Sequence, residues 1–465
     1  MPSSTTADPA ALVTHLEGIV GPAQVLVGDA IAPELTTDEG LGSIPTRPLA
    51  VVLPVSTAEV AAIVAFARAT RTPIVARGGA TGLSGGCVPV PGGIVVSFSR
   101  MNRIIEVDEE NHVATVQPGV TLEQLDAELA GCGLVYPVHP GELSATLGGN
   151  VATNAGGMRA VRHGVTRHNV LGLEVVLGTG EVVRTGGKFV KSSTGYDLGQ
   201  LIIGSEGTLA LVTEATLRLW PRLAHAVTVL APFSSLPELT AVIPEVIARG
   251  LAPSMLEYID ALTMRAITAS EGIDLGIPTE LRETAAAYLV VVLEQTRAER
   301  IDEDVESLGS LLLGAGALEM FVLPPGAATD LVHARERAFY VAKATGADDI
   351  VDVCVPRSEI ASYLQEVGEL ATGRGAFVVG CGHAGDGNVH LSVYQNDPDL
   401  RHGTMLEMFR CGIAHGGVIS GEHGIGTHKR SYFLELEEPS KLALMRRVKA
   451  AFDPDGILNP GKLLD

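Results

Sequence analysis

Three glycine-rich runs crowd the N-terminal half of this chain: RGGATGLSGG at Arg77 to Gly86, HPGELSATLGGNVATNAGGMRAVRHG at His139 to Gly164, and GSEGT at Gly204 to Thr208. Such runs leave backbone N–H groups uncovered and permit positive φ, so the chain can close on an oxyanion or pyrophosphate. Taken alone, the first is equally compatible with a bare glycine hairpin. It is neither a P-loop nor a Rossmann fingerprint, because it lacks Gly-Lys-Ser/Thr and G-x-G-x-x-G spacing, and a strand (GGIVVSF) rather than a helix follows it. Three runs in one domain, the second interleaved with Thr146, Asn150, Thr153 and Asn154, point to a long, multi-part ligand, since a single phosphate needs one loop. The alternative is loop-rich β architecture with no ligand.

The segments between the runs alternate strand and helix. LAVVLPVSTAEVAAIVAFARATRTPIVARGG reads as strand, helix, strand, with Ser56 and Glu59 at capping-box spacing and an apolar stripe of Val60, Ile63 and Val64. Thr121 and Gln124 repeat the box before a helix through Leu129, with Gly131 as its stop. From Leu223 the texture changes to longer helices, one around TDLVHARERAFYVAKA, alternating with strands such as AAYLVVVLEQ. We therefore expect a domain for that long ligand over 1–222, a second α+β domain over 223–415, and a C-terminal segment over 416–465 that opens on GEHG and closes on an amphipathic helix stopped at Asp453-Pro454.

GCGHAGDGNVHLSVY (380–394) holds His383 and His390 seven residues apart, on opposite faces of any unbroken strand. A hairpin through Ala384 to Val389 removes the difficulty by making them cross-strand neighbours able to share a metal ion. Glu422 in ISGEHGIGTHKRSYF can complete a two-histidine, one-carboxylate set, leaving His423 as a free base. A structural histidine pair and a surface GEHG turn are the competing readings. Asp386 is a ligand by type, but in a Gly-Asp-Gly turn it more often bonds its own backbone. His15, His112 and His402 read as ordinary surface or core residues.

Composition excludes several classes. Hydrophobic residues make up 46% and charged residues 19%, a globular balance, and 54 acidic against 33 basic residues give a net charge of −21, which repels nucleic acid and anionic lipid. Five scattered cysteines suggest neither a disulfide framework nor a zinc knuckle. With no signal-peptide pattern and no long apolar run, a cytoplasmic protein without a transmembrane segment is expected.

Together, Arg77 to Gly86, Ala145 to Gly157, Gly204 to Thr208, HAGDGNVH, GEHGIG and FDPDGILNPGK resemble, in order and over nearly the whole chain, the FAD-linked D-2-hydroxy acid dehydrogenases of the vanillyl-alcohol-oxidase / p-cresol-methylhydroxylase superfamily. The resemblance implies an α+β protein: a two-subdomain FAD-binding domain with an α+β cap. It places Arg77, Gly78, Gly79, Thr81, Gly82 and Ser84 at the pyrophosphate. Pro140, Thr146, Gly149, Asn150, Thr153, Asn154, Glu206 and Gly207 would line the rest of FAD, with Asn388 and Asn459 near the flavin. Covalent members carry a histidine after the paired glycines; Ala80 stands there, so non-covalent FAD is expected.

The resemblance also implies a divalent metal (zinc, manganese or iron) on His383, His390 and Glu422, His423 as a base titrating near neutrality, and Arg335 as the clamp for a substrate carboxylate. It implies oxidation of a small D-2-hydroxy acid, D-lactate or glycolate, or alternatively D-2-hydroxyglutarate. Val332 replaces a tryptophan frequent in the family, and Lys343 aligns with the second basic group of the diacid enzymes only across a gap. A metal-dependent hydrolase would leave the glycine loops without a ligand, and a flavin-binding subunit without turnover would leave the Arg335 and histidine set without a role. Expected partners are the substrate, an electron acceptor (quinone, cytochrome, electron-transfer flavoprotein or iron–sulfur subunit) that could tether the protein at the inner membrane, and a second copy of the chain in a homodimer.

Overall fold

The strand-helix-strand pattern after Leu49 forms as expected. In the computed structural model, which describes residues 9–464, the first sheet holds β1 (Val25–Leu26), β2 (Ala50–Val52), β3 (Ile74–Arg77) and β4 (Ile94–Ser97) in the order β1-β2-β4-β3. Strands β2 and β3 both run parallel to β4, and the helix Thr57–Thr70 crosses over from β2 to β3. Ser56 caps that helix by accepting from the Glu59 amide, but Glu59 reaches back to the Val55 amide rather than to Ser56, so the reciprocal box is shifted by one residue. The box at Thr121 and Gln124 closes in both directions.

The chain continues through β5 (Ile104–Asp108), β6 (Val113–Val116), β7 (Leu134–Val135), β8 (Val170–Leu177), β9 (Val182–Gly186), β10 (Ala210–Arg218) and β11 (Trp220–Pro221). All but β7 and β11, which pair with each other, make an antiparallel sheet in the order β5-β6-β10-β8-β9.

The remaining strands are β12 (His225–Phe233), β13 (Met255–Asp260), β14 (Ala287–Gln295), β15 (Phe321–Val322), β16 (Asp349–Cys354), β17 (Phe377–His383) and β18 (Asn388–Tyr394). They form one antiparallel sheet, order β15-β12-β14-β13-β17-β18-β16. Its largest core gathers Phe233, Tyr258, Leu289, Tyr363 and Phe409. The segment expected as one helix over 329–344 is two, Pro325–Glu336 and Ala338–Ala344, broken at Arg337, whose ψ of 2° is not helical. Leu331 and Ala334 on one piece and Ala338 and Val341 on the other keep the spacing of a single helical face and pack into one core across the break.

The C-terminal segment divides its contacts between the two regions. Ile457 and Leu458 join the core of the first sheet, and Leu458 bridges Ile74 in parallel, while Tyr432, Phe433 and Leu442 join the core of the seven-stranded sheet. This stitching holds the 420s loop between the glycine runs and the β17–β18 hairpin. Among the described residues no helix is long and apolar enough to cross a membrane, and all five cysteines are free thiols.

Candidate active site

The hairpin exists, and it is tighter than expected. Strand β18 resumes at Asn388, so Ala384 to Gly387 make the reversal, with Asp386 Oδ1 accepting from the Asn388 amide at 3.1 Å. Gly387 has φ of 94°, and a Cβ there would strike the Val355 carbonyl, so no other residue fits. His383 and His390 are not directly opposed: the register pairs His383 with Asn388 and Cys381 with His390. They are diagonal neighbours on one face, with ring centroids 4.9 Å apart.

Glu422 closes the set. Its Oε1 lies 3.1 Å from His383 Nε2 and 3.3 Å from His390 Nε2, so three ligand atoms converge on one point. The other imidazole nitrogens face buried carboxylates: His383 Nδ1 is 2.8 Å from Glu257 Oε1, and His390 Nδ1 is 3.6 Å from Asp352 Oδ1. A carboxylate behind each histidine fixes the ring and raises its basicity as a ligand. Burial alone would lower the His383 imidazole, but Glu257 and Glu422 hold it well above the usual histidine range. Glu422, conversely, would be raised by burial but is held well below the carboxylate range by His383 and His390. This mutual demand for positive charge is what a divalent cation would meet, and the residues fit one.

Asp352 and Glu257 had no place in the sequence reading, and both organise the site. Asp352 is fully buried; its Oδ2 accepts from the His423 amide (2.9 Å), Ser420 Oγ (2.7 Å) and Lys429 Nζ (3.2 Å), and its Oδ1 from Asn388 Nδ2 (3.0 Å). Burial would raise its carboxyl, but His423, Lys429 and His390 hold it well below the usual range. Asn388 is thereby a support for Asp352 rather than a residue of either cavity, contrary to its expected place at the flavin. The available signal was a carboxylate inside an apolar strand run, DIVDVC for Asp352 and MLEYID for Glu257.

His423 stacks on His390 at 5.0 Å, with Nδ1 3.7 Å from Asp352 Oδ2. Burial, assisted by His390 and Lys429, pushes its pKa down to about 4 rather than leaving it near neutrality, so it is a neutral imidazole at pH 7. Arg335 is also buried. Its Nη2 lies 2.9 Å from Glu257 Oε2, close enough for charge pairing but not aligned as a hydrogen bond, and neither Nε nor Nη2 has a hydrogen-bond partner among the described residues. A buried guanidinium with idle donors is suited to a carboxylate ligand.

The glycine runs line a cleft. Gly78, Gly79, Thr81, Gly82, Ser84, Pro140, Thr146, Gly149, Asn150, Thr153, Glu206, Gly207 and Asn459 all face it. A Cβ at Gly78 would collide with Thr146 Oγ1, which fixes how closely the two loops approach. Asn150 Nδ2 and Asn459 Oδ1 are buried, line the cleft and have no partner among the described residues, one donor and one acceptor waiting for a polar ligand. The residues therefore fit an extended polar cofactor such as FAD. Glu206 shapes the wall instead of offering its charge, because its oxygens accept the Ile425 and Gly426 amides at 2.8 and 2.7 Å.

Two expected cleft residues lie elsewhere. Arg77 donates to the Thr37 carbonyl at 2.8 Å and to the Glu34 carbonyl, pinning the N-terminal segment. Asn154 caps the helix Leu147–Thr153 in the left-handed conformation and accepts from the Arg167 amide at 3.0 Å.

A second cavity, about 520 Å³, lies over the β17–β18 hairpin and contains Arg335, His383 and His390. Leu83, Pro140, Glu422 and His423 line both it and the glycine-run cleft. The two spaces thus meet at the carboxylate and the imidazole.

Residues 48–186 match the family described as "FAD binding domain", and residues 222–463 match "FAD linked oxidases, C-terminal domain". An uncharacterized FAD-linked oxidoreductase of Mycobacterium tuberculosis is 52% identical over 97% of this chain and 98% of its own length. The D-lactate dehydrogenase of Archaeoglobus fulgidus is 40% identical (89% and 91% covered), and the glycolate oxidase subunit GlcD of Bacillus subtilis 37% (90% and 89%). In fold, the chain is similar to 4-ethylphenol oxidase from Gulosibacter chungangensis (TM-score 0.79, 21% identity, 100% and 98% covered) and to p-cresol methylhydroxylase (TM-score 0.79, 17% identity, 98% and 96% covered). The chain is an enzyme of the fold seen in 4-ethylphenol oxidase and p-cresol methylhydroxylase, and it belongs to the FAD-linked oxidoreductases of the D-lactate dehydrogenase and glycolate oxidase family.

Proposed function

We propose that this enzyme oxidises a 2-hydroxy acid to the corresponding 2-oxo acid. The observation that carries the reading is the meeting of the cofactor cleft and the Arg335 cavity at Glu422 and His423. D-lactate and glycolate, after which relatives are named, are the first substrates to test.

Arg335, which lines the cavity, binds the substrate carboxylate. His383, His390 and Glu422 would hold a divalent ion, whose Lewis acidity acidifies the substrate hydroxyl. His423, neutral and with Nδ1 turned to Asp352, offers Nε2 to take the hydroxyl proton. The cleft would hold FAD, which when bound would supply the two-electron acceptor for the hydride of C2, so that the substrate loses two electrons and two hydrogens in all. A separate electron acceptor then reoxidises the enzyme. The diacid alternative is disfavoured by Lys343, which pairs with Glu39 at 2.9 Å and does not line the cavity.

The test is anaerobic flavin bleaching by D- and L-2-hydroxy acids, which reports reduction without assuming an acceptor. Bleaching by at least one 2-hydroxy acid supports the reading; a flavoprotein that none of them bleaches contradicts it.

A further inference from the structure

We infer that the substrate's side chain is apolar and longer than the methyl of lactate, and that it lies along the β17–β18 floor of the cavity. The inference rests on the 2-hydroxy acid reading above.

The floor follows from strand alternation. Residues opposite one another in an antiparallel pair share a face, and side chains return to that face every second residue. From the Cys381–His390 pair the same face continues to Val379–Ser392 and then to Phe377–Tyr394, with Ile350 of β16 beside Ser392. Tyr394 lies four steps along the strand from His390, so at ~3.4 Å per residue the floor runs on the order of 14 Å beyond the row of His383 and His390.

Every one of these residues lines the cavity, whose opposite wall is supplied by Ala266, Phe339 and Ala342. The far end closes on two rings, Phe377 and Tyr394, with centroids 5.8 Å apart. Thr345 Oγ1 holds the Tyr394 hydroxyl at 2.9 Å, while Phe377 remains 52% exposed, an apolar face that a long substrate would cover.

Charge points the same way. Among the described residues Arg335 is the one lysine or arginine lining this cavity, and beside it stands a carboxyl, Glu336. A second substrate carboxylate would find no cation, whereas methylenes find apolar wall along the floor.

The test uses the FAD- and metal-loaded full-length enzyme and the anaerobic flavin-reduction kcat/KM for both enantiomers of 2-hydroxypropanoate through 2-hydroxyoctanoate, with 2-hydroxyglutarate alongside. We expect a rise of about threefold to fourfold per added methylene in the preferred series, the transfer value for a buried CH₂, and 2-hydroxyglutarate below lactate. In Val379→Asp the octanoate-to-lactate ratio should fall at least tenfold. As a check independent of that variant's folding, 2-oxooctanoate should perturb the wild-type flavin spectrum at lower concentration than pyruvate. Active lactate with a flat or falling length series, or equal binding of the two 2-oxo acids, overturns this inference alone. Bleaching by no member of the series overturns the 2-hydroxy acid reading and this inference with it.

Discussion

His383 Nδ1 lies 2.8 Å from Glu257 Oε1, and the other oxygen of the same carboxylate lies 2.9 Å from Arg335 Nη2. Glu257 therefore ties a histidine of the proposed metal site to the arginine proposed to bind the substrate carboxylate. In Glu257→Gln both lose their charged partner inside a buried site. Removing one member of a buried pair costs about 3–5 kcal/mol, and losing the carboxylate behind a ligating histidine weakens metal about 10- to 100-fold. We expect a lower Tm together with weaker zinc or manganese binding in a competitive chelator titration. Wild-type metal affinity in the variant would show that Glu257 only balances charge.

Asp352 gathers the His423 amide, Ser420, Lys429 and Asn388 around one buried carboxylate. Asp352→Asn keeps the shape and removes the charge behind His423 and His390. Flavin reduction should slow roughly 10- to 100-fold while FAD occupancy holds. A reduction rate within twofold of wild type, by stopped flow, would remove Asp352 from the account of how His423 is positioned.

Burial lifts the Glu336 carboxyl from its ordinary value to about 7, against the opposing charges of Arg335 and Arg159 and with Glu142 adding to the rise. His139 Nδ1 stands 3.4 Å away, but burial lowers that imidazole to about 4, so it brings no charge near neutrality. A carboxyl raised in the folded state contributes stability that is present below pH ~4.5 and lost as pH rises through about 7. Thermal unfolding of Glu336→Gln between pH 5 and 8 should lack that decline, and by pH 8 the variant should gain up to roughly 3 kcal/mol on wild type. Parallel stability curves for the two proteins would refute it.

Two substitutions separate cofactor contact from scaffolding. Asn150 Nδ2 belongs to the cleft lining and has no partner among the described residues, so Asn150→Ala should weaken FAD by about 10-fold, the worth of one hydrogen bond, without lowering apoprotein stability. Arg77 spends its guanidinium on the Glu34 and Thr37 carbonyls, so Arg77→Ala should cost the apoprotein about 1.5–3 kcal/mol. Isothermal titration with FAD and denaturant unfolding of the apoproteins measure both; the reverse pattern would exchange their roles.

Much of this was legible in local pattern. Strand alternation and the Gly-Asp-Gly turn were enough to foresee the His383–His390 hairpin, and glycine spacing with interleaved Thr146, Asn150 and Thr153 foresaw the cleft. What stayed hidden depends on register and long-range packing. The diagonal relation of the histidines is set by two residues of turn length. Glu257 and Asp352 read as stray carboxylates in apolar strands until β13 and β16 flank the hairpin. Arg77 sits inside the first glycine motif yet turns away from the cleft, because the carbonyls of Glu34 and Thr37 need a donor there. The depressed His423 pKa likewise follows from burial that no spacing reveals.

The most direct test of the central claim, that chemistry occurs where the two cavities meet at His423, is the single-turnover rate of flavin reduction in His423→Ala at full FAD occupancy. With D-lactate and with the best substrate of the length series, the account predicts a loss of at least about 10²-fold, the usual weight of a general base. Equal rates in the variant and the wild-type enzyme would contradict it.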